Sequence, residues 1–291
     1  MKFAIGVDGG GSGCRVAIMD REGSTLGQAV SGPANVATNF ETTFSNIMSG
    51  IHNAAAAAEI EMGQLSDSAV VLGLAGANVG NHAHALESRL PFTAAKVVSD
   101  ALISLDGALG GFDGTGAMIG TGSVFASRMG TDFRMLGGWG FQVGDQAGGA
   151  RMGRSLLQET LLAHDNIRSA TALTSAVLAR FGGAAQVTEF ARSHGPNDYA
   201  ALAPMVLDAA KARDEVALKI IADACAYIVK AVNAVSFSPS LPVTMIGGLS
   251  NSLAHFLPAE LASRLIPATG NALDGAKRLA LRLIAGRPLF E

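Results

Sequence analysis

The sequence predicts an α/β protein of two domains, each built on the same module of strands and helices. The chain has 291 residues, 49% of them hydrophobic, which suits two cores better than one. The order strand, glycine-rich turn, strand, turn, strand occurs twice, in IGVDGGGSGCRVAIMDREG and again in MIGTGSVFASRMGTDF. Such a duplication predicts a central cleft, and clefts between domains are common ligand sites.

The first module opens with strands predicted at residues 3–8, 14–19 and 27–31, which form a β-meander. Apolar residues at helical spacing then predict a helix that carries Phe40, Phe44, Ile47 and Ile51 on one face. The remaining elements of this half are a buried strand at 69–74, a helix at 82–89, a short strand at 97–98 and a helix from about Ala101.

The second module has strands predicted at 116–120, 124–128 and 134–136, followed by a long helical stretch. Apolar residues from Val216 to Val235 recur at helical spacing, and a strand at 242–246 precedes a last helix that carries Ala276 and Leu283. We assign residues 1–105 to an N-terminal domain and 106–291 to a C-terminal domain, and leave open whether the last helix packs back on the first. Asp106 and Asp113 are expected to be loop carboxylates.

Composition excludes several classes of protein. The formal net charge is −3 without a run of like charges, so we expect neither nucleic acid nor a membrane surface as partner. The two cysteines, Cys14 and Cys225, have no CxxC spacing, which predicts a reducing compartment with neither disulfide nor zinc site. The start of the chain lacks the features of a signal peptide, and we expect a cytoplasmic protein.

The 36 glycines are clustered, and the clusters fit none of the common nucleotide motifs. A G-x-G-x-x-G motif that starts at Gly9 would need glycine at Cys14, and one that starts at Gly120 would need glycine at Phe125. In addition, each turn leads into a strand, whereas the motif leads into a helix. A glycine hairpin can still hold phosphate on converging N–H groups, although each could also be only a tight turn. A carboxylate beside such a hairpin, Asp8, indicates Mg²⁺.

Several short segments together resemble one family. In order they are GVDGGGSGCRVAI, GPANV, GLAGAN, VVSDALISL, IGTGSV, GGWGFQVGDQAGGARMG, IGGLS and ALDGA. Their order and spacing resemble the BadF/BadG/BcrA/BcrD-type ATPase family, which includes N-acetylglucosamine kinase and bacterial glucosamine kinase. The resemblance covers nearly the whole chain. It implies duplicated actin-like (ribonuclease H-like) ATPase domains that bind ATP.

The resemblance also implies roles for individual residues. The implied ATP-binding residues are Asp8, Gly9, Gly10, Gly11, Ser12, Gly120, Thr121, Gly122, Ser123, Gly247 and Gly248, with Ser250 and Asn251 nearby and Asp8 acting on Mg²⁺. The implied sugar contacts are Asn35, Asp100, Thr121, Gly122, Trp139 and Asp145, with Asp100 as the catalytic base.

Each of these candidate residues could instead have a role only in the fold. Asp100 could cap a helix, but Ser99 serves equally well as a cap and would leave Asp100 free. Asn35 and Asp145 could be turn residues. Trp139, the single tryptophan, could pack in a core instead of against the apolar face of a sugar.

The function implied is phosphorylation of the 6-hydroxyl of an amino sugar by ATP, with glucosamine as the expected substrate and N-acetylglucosamine as the alternative. We also expect a homodimer. An alternative of another class is an ATPase that drives a partner protein, as the dehydratase activators do, but Cys14 and Cys225 do not lie where iron–sulfur ligands would be expected. A sugar-sensing regulator would carry a DNA-binding segment before the first hairpin, and because the hairpin here begins at Asp8 we do not expect one.

Overall fold

The computed structural model describes residues 1–289, which divide into two compact units. Unit 1 contains Met1–Gly114, Arg128–Phe133 and the C-terminal segment from Pro267, and unit 2 contains Thr115–Ser127 and Arg134–Ile266. Packing therefore places residues 106–114 and the last helix with the first unit. The functional domains 1–105 and 106–291, and the cleft predicted between them, stay predictions.

The described residues form nine strands and twelve α-helices. The strands are β1 (Phe3–Gly9), β2 (Cys14–Met19), β3 (Thr25–Ser31), β4 (Ser68–Leu74), β5 (Ala94–Ser99), β6 (Gly114–Ile119), β7 (Ser123–Met129), β8 (Asp132–Gly137) and β9 (Val243–Ile246). The helices are α1 (Phe40–Ala57), α2 (His82–Arg89), α3 (Asp100–Leu109), α4 (Gly149–His164), α5 (Ala172–Phe181), α6 (Ala184–Ser193), α7 (Pro196–Ala200), α8 (Ala203–Lys211), α9 (Glu215–Val235), α10 (Ser250–Ala254), α11 (Ala259–Ala262) and α12 (Ala272–Ile284).

The sheet of unit 1 has the order β3-β2-β1-β4-β5. β1 pairs antiparallel with β2 and parallel with β4, and β4 pairs parallel with β5. The sequence of β4, SAVVLGL, is buried at every position, as is typical of a central parallel strand. Because β1, β4 and β5 are parallel, their carboxyl ends share one edge of the sheet. Asp8 and Asp100 both lie at this edge.

Helices α3 and α12 pack closely against each other in unit 1. A Cβ on Gly275 would lie 1.9 Å from the carbonyl oxygen of Ile103, and one on Gly107 would lie 1.9 Å from that of Asn271. Ile103 belongs to a buried cluster with Met19, Ala276 and Leu279, so this contact closes the core over β1. The absence of side chains at Gly107 and Gly275 is what permits this approach.

Asp106 is not a loop carboxylate, and that prediction was wrong. It lies inside α3 with only 3% of its surface exposed. Its Oδ1 accepts a hydrogen bond from Arg128 Nη1 at 2.7 Å, and its Oδ2 accepts one from Arg278 Nη1 at 2.8 Å. A buried carboxylate requires such partners, and here they connect three separate segments of unit 1. Asp113 does lie in a loop, where it accepts the N–H of Gly130.

The sheet of unit 2 has the order β8-β7-β6-β9, which repeats the order β3-β2-β1-β4 of unit 1. β6 pairs parallel with β9, as β1 does with β4. The mixed α/β fold with a repeated sheet is therefore confirmed. Helices α4, α8 and α9 cover this sheet with a large apolar core that includes Phe125, Leu156, Val206 and Ile228.

Most predicted elements occur within a few residues of their expected bounds. The strand predicted at 97–98 is longer, Ala94–Ser99, and the helix predicted from Ala101 begins at Asp100. Helices α5–α8 were not delimited in the sequence because they are short and separated by glycine and proline. None of the helices described in residues 1–289 has the length and apolar character needed to cross a bilayer.

We predict that Gly275→Ala destabilises the protein, since its Cβ would meet the main chain of α3. Forced overpacking typically costs about 1–3 kcal/mol, which exceeds the roughly 1 kcal/mol that alanine gains over glycine in a helix. The unfolding midpoint in urea measures the change. Gly63→Ala is the control, because a Cβ there meets no atom within 4 Å. An unchanged or higher midpoint for Gly275→Ala would contradict the packing argument.

Candidate functional site

The first glycine turn joins β1 to β2 in unit 1. The turn is closed by a hydrogen bond from the Gly10 N–H to the Gly13 carbonyl at 2.9 Å, and the Ala34 N–H donates to Gly10 at 2.8 Å. A Cβ at Gly11 would meet no atom within 4 Å, so its main chain is open to a ligand. These features fit a loop that presents main-chain N–H groups to phosphate.

Asp8 stands beside this turn and is paired with Arg15. Nε of Arg15 donates to Oδ2 of Asp8 at 2.9 Å, and Nη2 of Arg15 contacts the same oxygen. The two residues face each other across the β1–β2 ladder, so the hairpin register brings them together. The Asp8 side chain is only 16% exposed, and the arginine neutralises its charge in that position.

Asp100 is the first residue of α3 and directly follows β5. The Ser99 hydroxyl caps the helix by accepting the Leu102 N–H at 3.3 Å, which decides between the two caps that the sequence allows, while Asp100 Oδ1 accepts the adjacent Ala101 N–H at 2.8 Å. Burial raises the pKa of Asp100, the Ala101 N–H partly offsets that rise, and the nearby charge of Asp8 adds to it. The result is a half-buried carboxyl without a cation, which is a suitable environment for a general base.

Asn35 lies near the same edge of the unit 1 sheet, where it forms an isolated bridge with Ala75 after β4. Its Oδ1 accepts the N–H groups of Ala37 at 3.1 Å and Thr38 at 3.2 Å. The oxygen is thus used in a turn, which agrees with the structural interpretation, while the Nδ2 amide group is left to donate to a ligand.

The second glycine turn joins β6 to β7 in unit 2. Gly120 donates its N–H to the Gly122 carbonyl at 2.9 Å, and the start of α4 holds the turn through hydrogen bonds from Gly149 to Gly120 at 2.9 Å and from Ala150 to Thr121 at 3.0 Å. A Cβ at Gly120 would meet no atom within 4 Å. The Ser123 hydroxyl is buried with no hydrogen-bond partner among the described residues, which suits an incoming ligand oxygen.

Asp145 lies against this second turn. A Cβ at Gly122 would be 2.5 Å from Asp145 Oδ2, so only glycine permits the carboxyl to reach this position. Asp145 has a φ of 60°, and its Oδ1 is buried without a hydrogen-bond partner within residues 1–289. Burial raises its pKa, while the N–H groups of Ser123 and Gly140 and the charge of Arg151 lower it in part. Strained backbone and an unsatisfied oxygen are typical of a functional carboxyl.

Trp139 does not pack in the core, so the structural interpretation considered for it is wrong. It lies in the glycine-rich turn after β8 with 76% of its surface exposed, and Val143 beside it is 77% exposed. The Gly138 N–H donates to the Ser123 carbonyl at 3.1 Å, which ties the base of this turn to the β6–β7 turn. An exposed indole there suits the apolar face of a sugar.

Gly247 and Gly248 follow β9 in unit 2. Gly247 has a φ of 106°. Two residues further on, the N–H of Leu249 donates to the carbonyl of Ile119, the last residue of β6, at 3.2 Å. Gly248 is open, and the Ser250 hydroxyl is buried without a partner in the described part of the chain. A groove of about 380 Å³ adjoins this segment and is lined by Leu207, Lys211, Asn251, Ser252, His255 and Phe256.

The predicted site residues thus form two groups. Asp8, the first glycine turn and Asp100 lie at one edge of the unit 1 sheet. The second turn, Asp145, Trp139 and the Gly247–Gly248 segment lie around the end of β6 in unit 2. Their roles stay predictions. Sequence reasoning missed Arg15, which the hairpin spacing could have revealed, and it missed Lys211, His255 and Phe256, which no local pattern identifies.

A magnesium ion at the first turn would have the carboxylate of Asp8 beside it and would not be surrounded by several protein ligands. Within residues 1–289 no three His, Cys, Asp or Glu side chains converge as a metal centre. Magnesium carried by a nucleotide usually keeps several waters and needs only one or two carboxylates besides the phosphates. Asp8 beside an open glycine turn fits that requirement.

A comparison with protein families identifies the wider group. The model of the BadF/BadG/BcrA/BcrD ATPase family matches residues 5–271. The chain belongs to this family. The prediction made from the glycine turns and the segments around them is therefore confirmed, and the repeated sheet is that family's fold in this chain.

Its relatives include named sugar kinases. The chain is 28% identical to the glucosamine kinase GspK of Vibrio cholerae over 99% of its own length and 97% of the relative's. It is 32% identical to a solved Chromobacterium violaceum protein thought to be an N-acetylglucosamine kinase, with a TM-score of 0.86 over 97% of this chain and 99% of the other. A Streptomyces griseus ROK family glucokinase, 17% identical with a TM-score of 0.53 over 95% and 98%, shares the fold.

We predict that Asp100→Asn stabilises the protein at neutral pH. A carboxyl whose pKa is raised by folding binds its proton more tightly in the folded state, so its ionisation weakens the fold as the pH rises above its ordinary pKa of about 4. Asparagine removes that charge and keeps an oxygen for the Ala101 N–H. The melting temperature should therefore exceed that of the parent at pH 7.

The same pair should melt at nearly equal temperatures at about pH 3 and below, where Asp100 is largely protonated in both states. Glu22→Gln, which removes an exposed charge from the same unit, is the control and should show no such dependence. If Asp100→Asn were less stable than the parent at pH 7, the carboxylate would have a stabilising partner, and this description of its environment would be wrong.

Proposed function

We propose that this protein transfers the terminal phosphoryl group of ATP to the 6-hydroxyl of glucosamine. The prediction of an ATP-dependent sugar kinase is confirmed by the family and by the named kinases among its relatives. The choice of glucosamine and the roles of individual residues are the proposal. The observation that carries it is Asp100, a carboxyl at the end of β5 that does not cap α3, since Ser99 does, and whose pKa is raised by burial.

In this proposal Asp100 accepts the proton of the attacking hydroxyl. Desolvation raises its pKa, which makes the carboxylate a stronger base than an exposed aspartate. The residue is fixed at the first turn of α3, a helix anchored by the buried pairing of Asp106 with Arg128 and Arg278. Positioning of this kind supplies much of the catalysis in phosphoryl transfer.

The two glycine turns hold the phosphates in this proposal. A Cβ at Gly11 or at Gly120 would meet no atom within 4 Å, which leaves space for a ligand, and the Ser123 hydroxyl, without a partner among the described residues, supplies a further group. Asp8 would hold Mg²⁺ through its waters, and the ion, when bound, neutralises phosphate charge. The Arg15 side chain holds the Asp8 carboxylate in place until the nucleotide binds.

The adenosine part of the nucleotide is assigned to the groove beside Gly247 and Gly248. Its lining combines an aromatic ring, Phe256, with the polar groups of Asn251, His255 and Lys211. Apolar walls with a few polar groups are typical of sites for a heterocyclic base. The volume of about 380 Å³ lies within the usual range for small-ligand pockets.

The sugar is assigned to Asn35, Trp139 and Asp145 together with the base. Asp145 supports an amino sugar because its Oδ1 is buried without a partner among residues 1–289 and an ammonium group would supply one. A curated relative that this chain matches over 99% of its own length and 97% of the relative's is named a glucosamine kinase. N-acetylglucosamine stays the alternative, since the Chromobacterium violaceum structure carries that substrate in its name.

The second candidate function, an ATPase that drives a partner, finds less support. Cys14 and Cys225 are both buried, and burial raises the pKa of each thiol to about 11. Thiols in that state do not offer thiolate ligands at a surface, which the bridging cluster of the dehydratase activators would need. The homodimer and the cytoplasmic location stay predictions.

We predict that glucosamine has the highest kcat/KM in a sugar panel with coupled ADP detection. A site whose polar groups are left unpaired by an analogue can reject it by up to ~10⁴-fold, so glucose should fall well behind. Asp145→Asn should narrow the lead of glucosamine over glucose. If N-acetylglucosamine led by tenfold, the substrate choice would be wrong, and if no sugar stimulated ADP release, the partner-driving ATPase would replace the kinase.

We predict that Asp100→Asn reduces kcat by ~10²–10⁴-fold, the usual contribution of a positioned general base, and leaves the affinity for Mg-ATP unchanged. Steady-state rates at saturating sugar and calorimetric titration of ATP measure the two quantities. Glu22→Gln again serves as the charge control. Turnover within a factor of two of the parent would remove Asp100 from the mechanism.

A further inference from the structure

A short helix of unit 2 reaches the second glycine turn from far along the chain. The Thr121 hydroxyl donates to Oδ1 of Asn197, the second residue of α7, with an oxygen–oxygen distance of 3.1 Å. The two residues are 76 positions apart, and both side chains are exposed to solvent. This contact brings a residue with no previously assigned role to the predicted phosphate-binding turn.

The position of α7 is fixed by main-chain packing against α4. A Cβ on Gly153 would lie 2.0 Å from the Tyr199 carbonyl oxygen, so the two helices touch without side chains between them. The Tyr199 ring is buried and packs on Phe141 and Phe190 at centroid distances of 4.8 and 5.2 Å. Asp198 completes the start of α7 by accepting the Gly195 N–H at 2.9 Å. Asn197 therefore stands on a rigid support.

The hydrogen bond to Thr121 determines which end of the Asn197 amide remains available. Asparagine has one acceptor oxygen and one NH₂ group with two donors. The oxygen accepts from Thr121, and Nδ2 has no hydrogen-bond partner among residues 1–289. Asn197 thus presents two N–H donors beside Thr121, and N–H donors match the oxygens of a phosphate.

The N–H groups at the start of α4 are not available to bind a phosphate at this turn. The Gly149 and Ala150 N–H groups, which a helix start could offer to an anion, donate to the carbonyls of Gly120 and Thr121 instead. The space beside the Gly120 Cα and the Ser123 hydroxyl, which lacks a partner among the described residues, still leave room for a ligand at this turn. A side-chain amide is the group that can complete the coordination of a phosphate there.

We infer that Asn197 is a nucleotide-binding residue. Its Nδ2 donates to a phosphate oxygen of ATP bound at the Gly120–Ser123 turn, while its Oδ1 holds the Thr121 hydroxyl in one orientation. The inference rests on the proposed function for the nature of the ligand, a nucleoside triphosphate, but not for the sugar that receives the phosphoryl group.

Two substitutions separate a contact with phosphate from simple support of the turn. Asn197→Asp retains an acceptor for Thr121, loses the N–H donors and adds a negative charge. Asn197→Ala loses acceptor and donors but adds no charge. A phosphate contact predicts that the aspartate variant binds ATP more weakly than the alanine variant, whereas a role limited to Thr121 predicts the reverse order.

The experiment is calorimetric titration of the purified full-length chain with Mg-ATP in the absence of sugar. We expect Asn197→Ala to raise Kd by about 10- to 100-fold, the loss that follows removal of a hydrogen bond to a charged group, and Asn197→Asp to raise it further, because it also places a negative charge beside the phosphate. Asn233→Asp makes the same chemical change on an exposed position of α9 and should bind as the parent does. Equal melting temperatures of the variants establish that each is folded.

Parent-like ATP affinity in Asn197→Asp, or a weaker affinity in Asn197→Ala than in Asn197→Asp, would overturn the inference. The readout does not involve a sugar, so it is distinct from the test of the proposed function. If no sugar stimulated ADP release while Asn197→Asp still bound ATP more weakly than the parent and the alanine variant, the kinase proposal would fail and the inference would stand.

Discussion

Close contact between main chains, made possible by glycine, is the constraint on which both units depend. In unit 1 it brings α12 against α3 at Gly275 and Gly107, and in unit 2 it brings the start of α4 against the second turn, where a Cβ on Gly148 would lie 2.6 Å from the Thr121 carbonyl oxygen. These contacts fix the helices that carry or support the polar candidates. At other glycines, among them Gly11 and Gly120, a Cβ would meet no atom within 4 Å, so that side of the main chain is open. Clustered glycine therefore has two uses in this chain, and only one of them concerns a ligand.

The aspartates also have two uses, one in stabilising the fold and one at the candidate site. Asp100 and Asp106 lie on one helix, yet Asp106 is buried between two arginines while Asp100 has only an N–H of its own helix and the repulsion of Asp8. The paired carboxylate anchors α3, and the unpaired one is destabilised as an anion, which is the condition for a base. The ion pairs of Asp106 thus hold in place the helix on which Asp100 lies. Asp145 in unit 2 is unpaired in the same sense, with a strained backbone and a buried oxygen that lacks a partner within the described residues.

The second turn of unit 2 shows how a rigid scaffold can leave a small number of groups for a ligand. Its carbonyls are occupied by N–H groups of α4, and Leu249 ties the segment after β9 to the end of β6. What remains is polar and specific: the Ser123 hydroxyl, the Asp145 carboxyl and the Asn197 amide. Because their supports are helices packed through main-chain contacts, these groups are positioned before a ligand arrives, which lowers the entropic cost of binding.

The strands predicted at 3–8 and 97–98 lie within β1 and β5, and Ser99 is one of the two caps that the sequence allows for α3. The sequence predicts these elements, the repeated module and the family, because they depend on local periodicity, turn chemistry and spacing. It could not determine that Asp106 is buried between Arg128 and Arg278, that Trp139 is exposed, or that Asn197 meets Thr121. Those facts depend on contacts between segments up to 172 residues apart, and local patterns carry no information on such contacts. Only the tertiary structure decided which polar groups have partners, and burial without a partner is what changes a carboxyl's pKa and makes it available for chemistry.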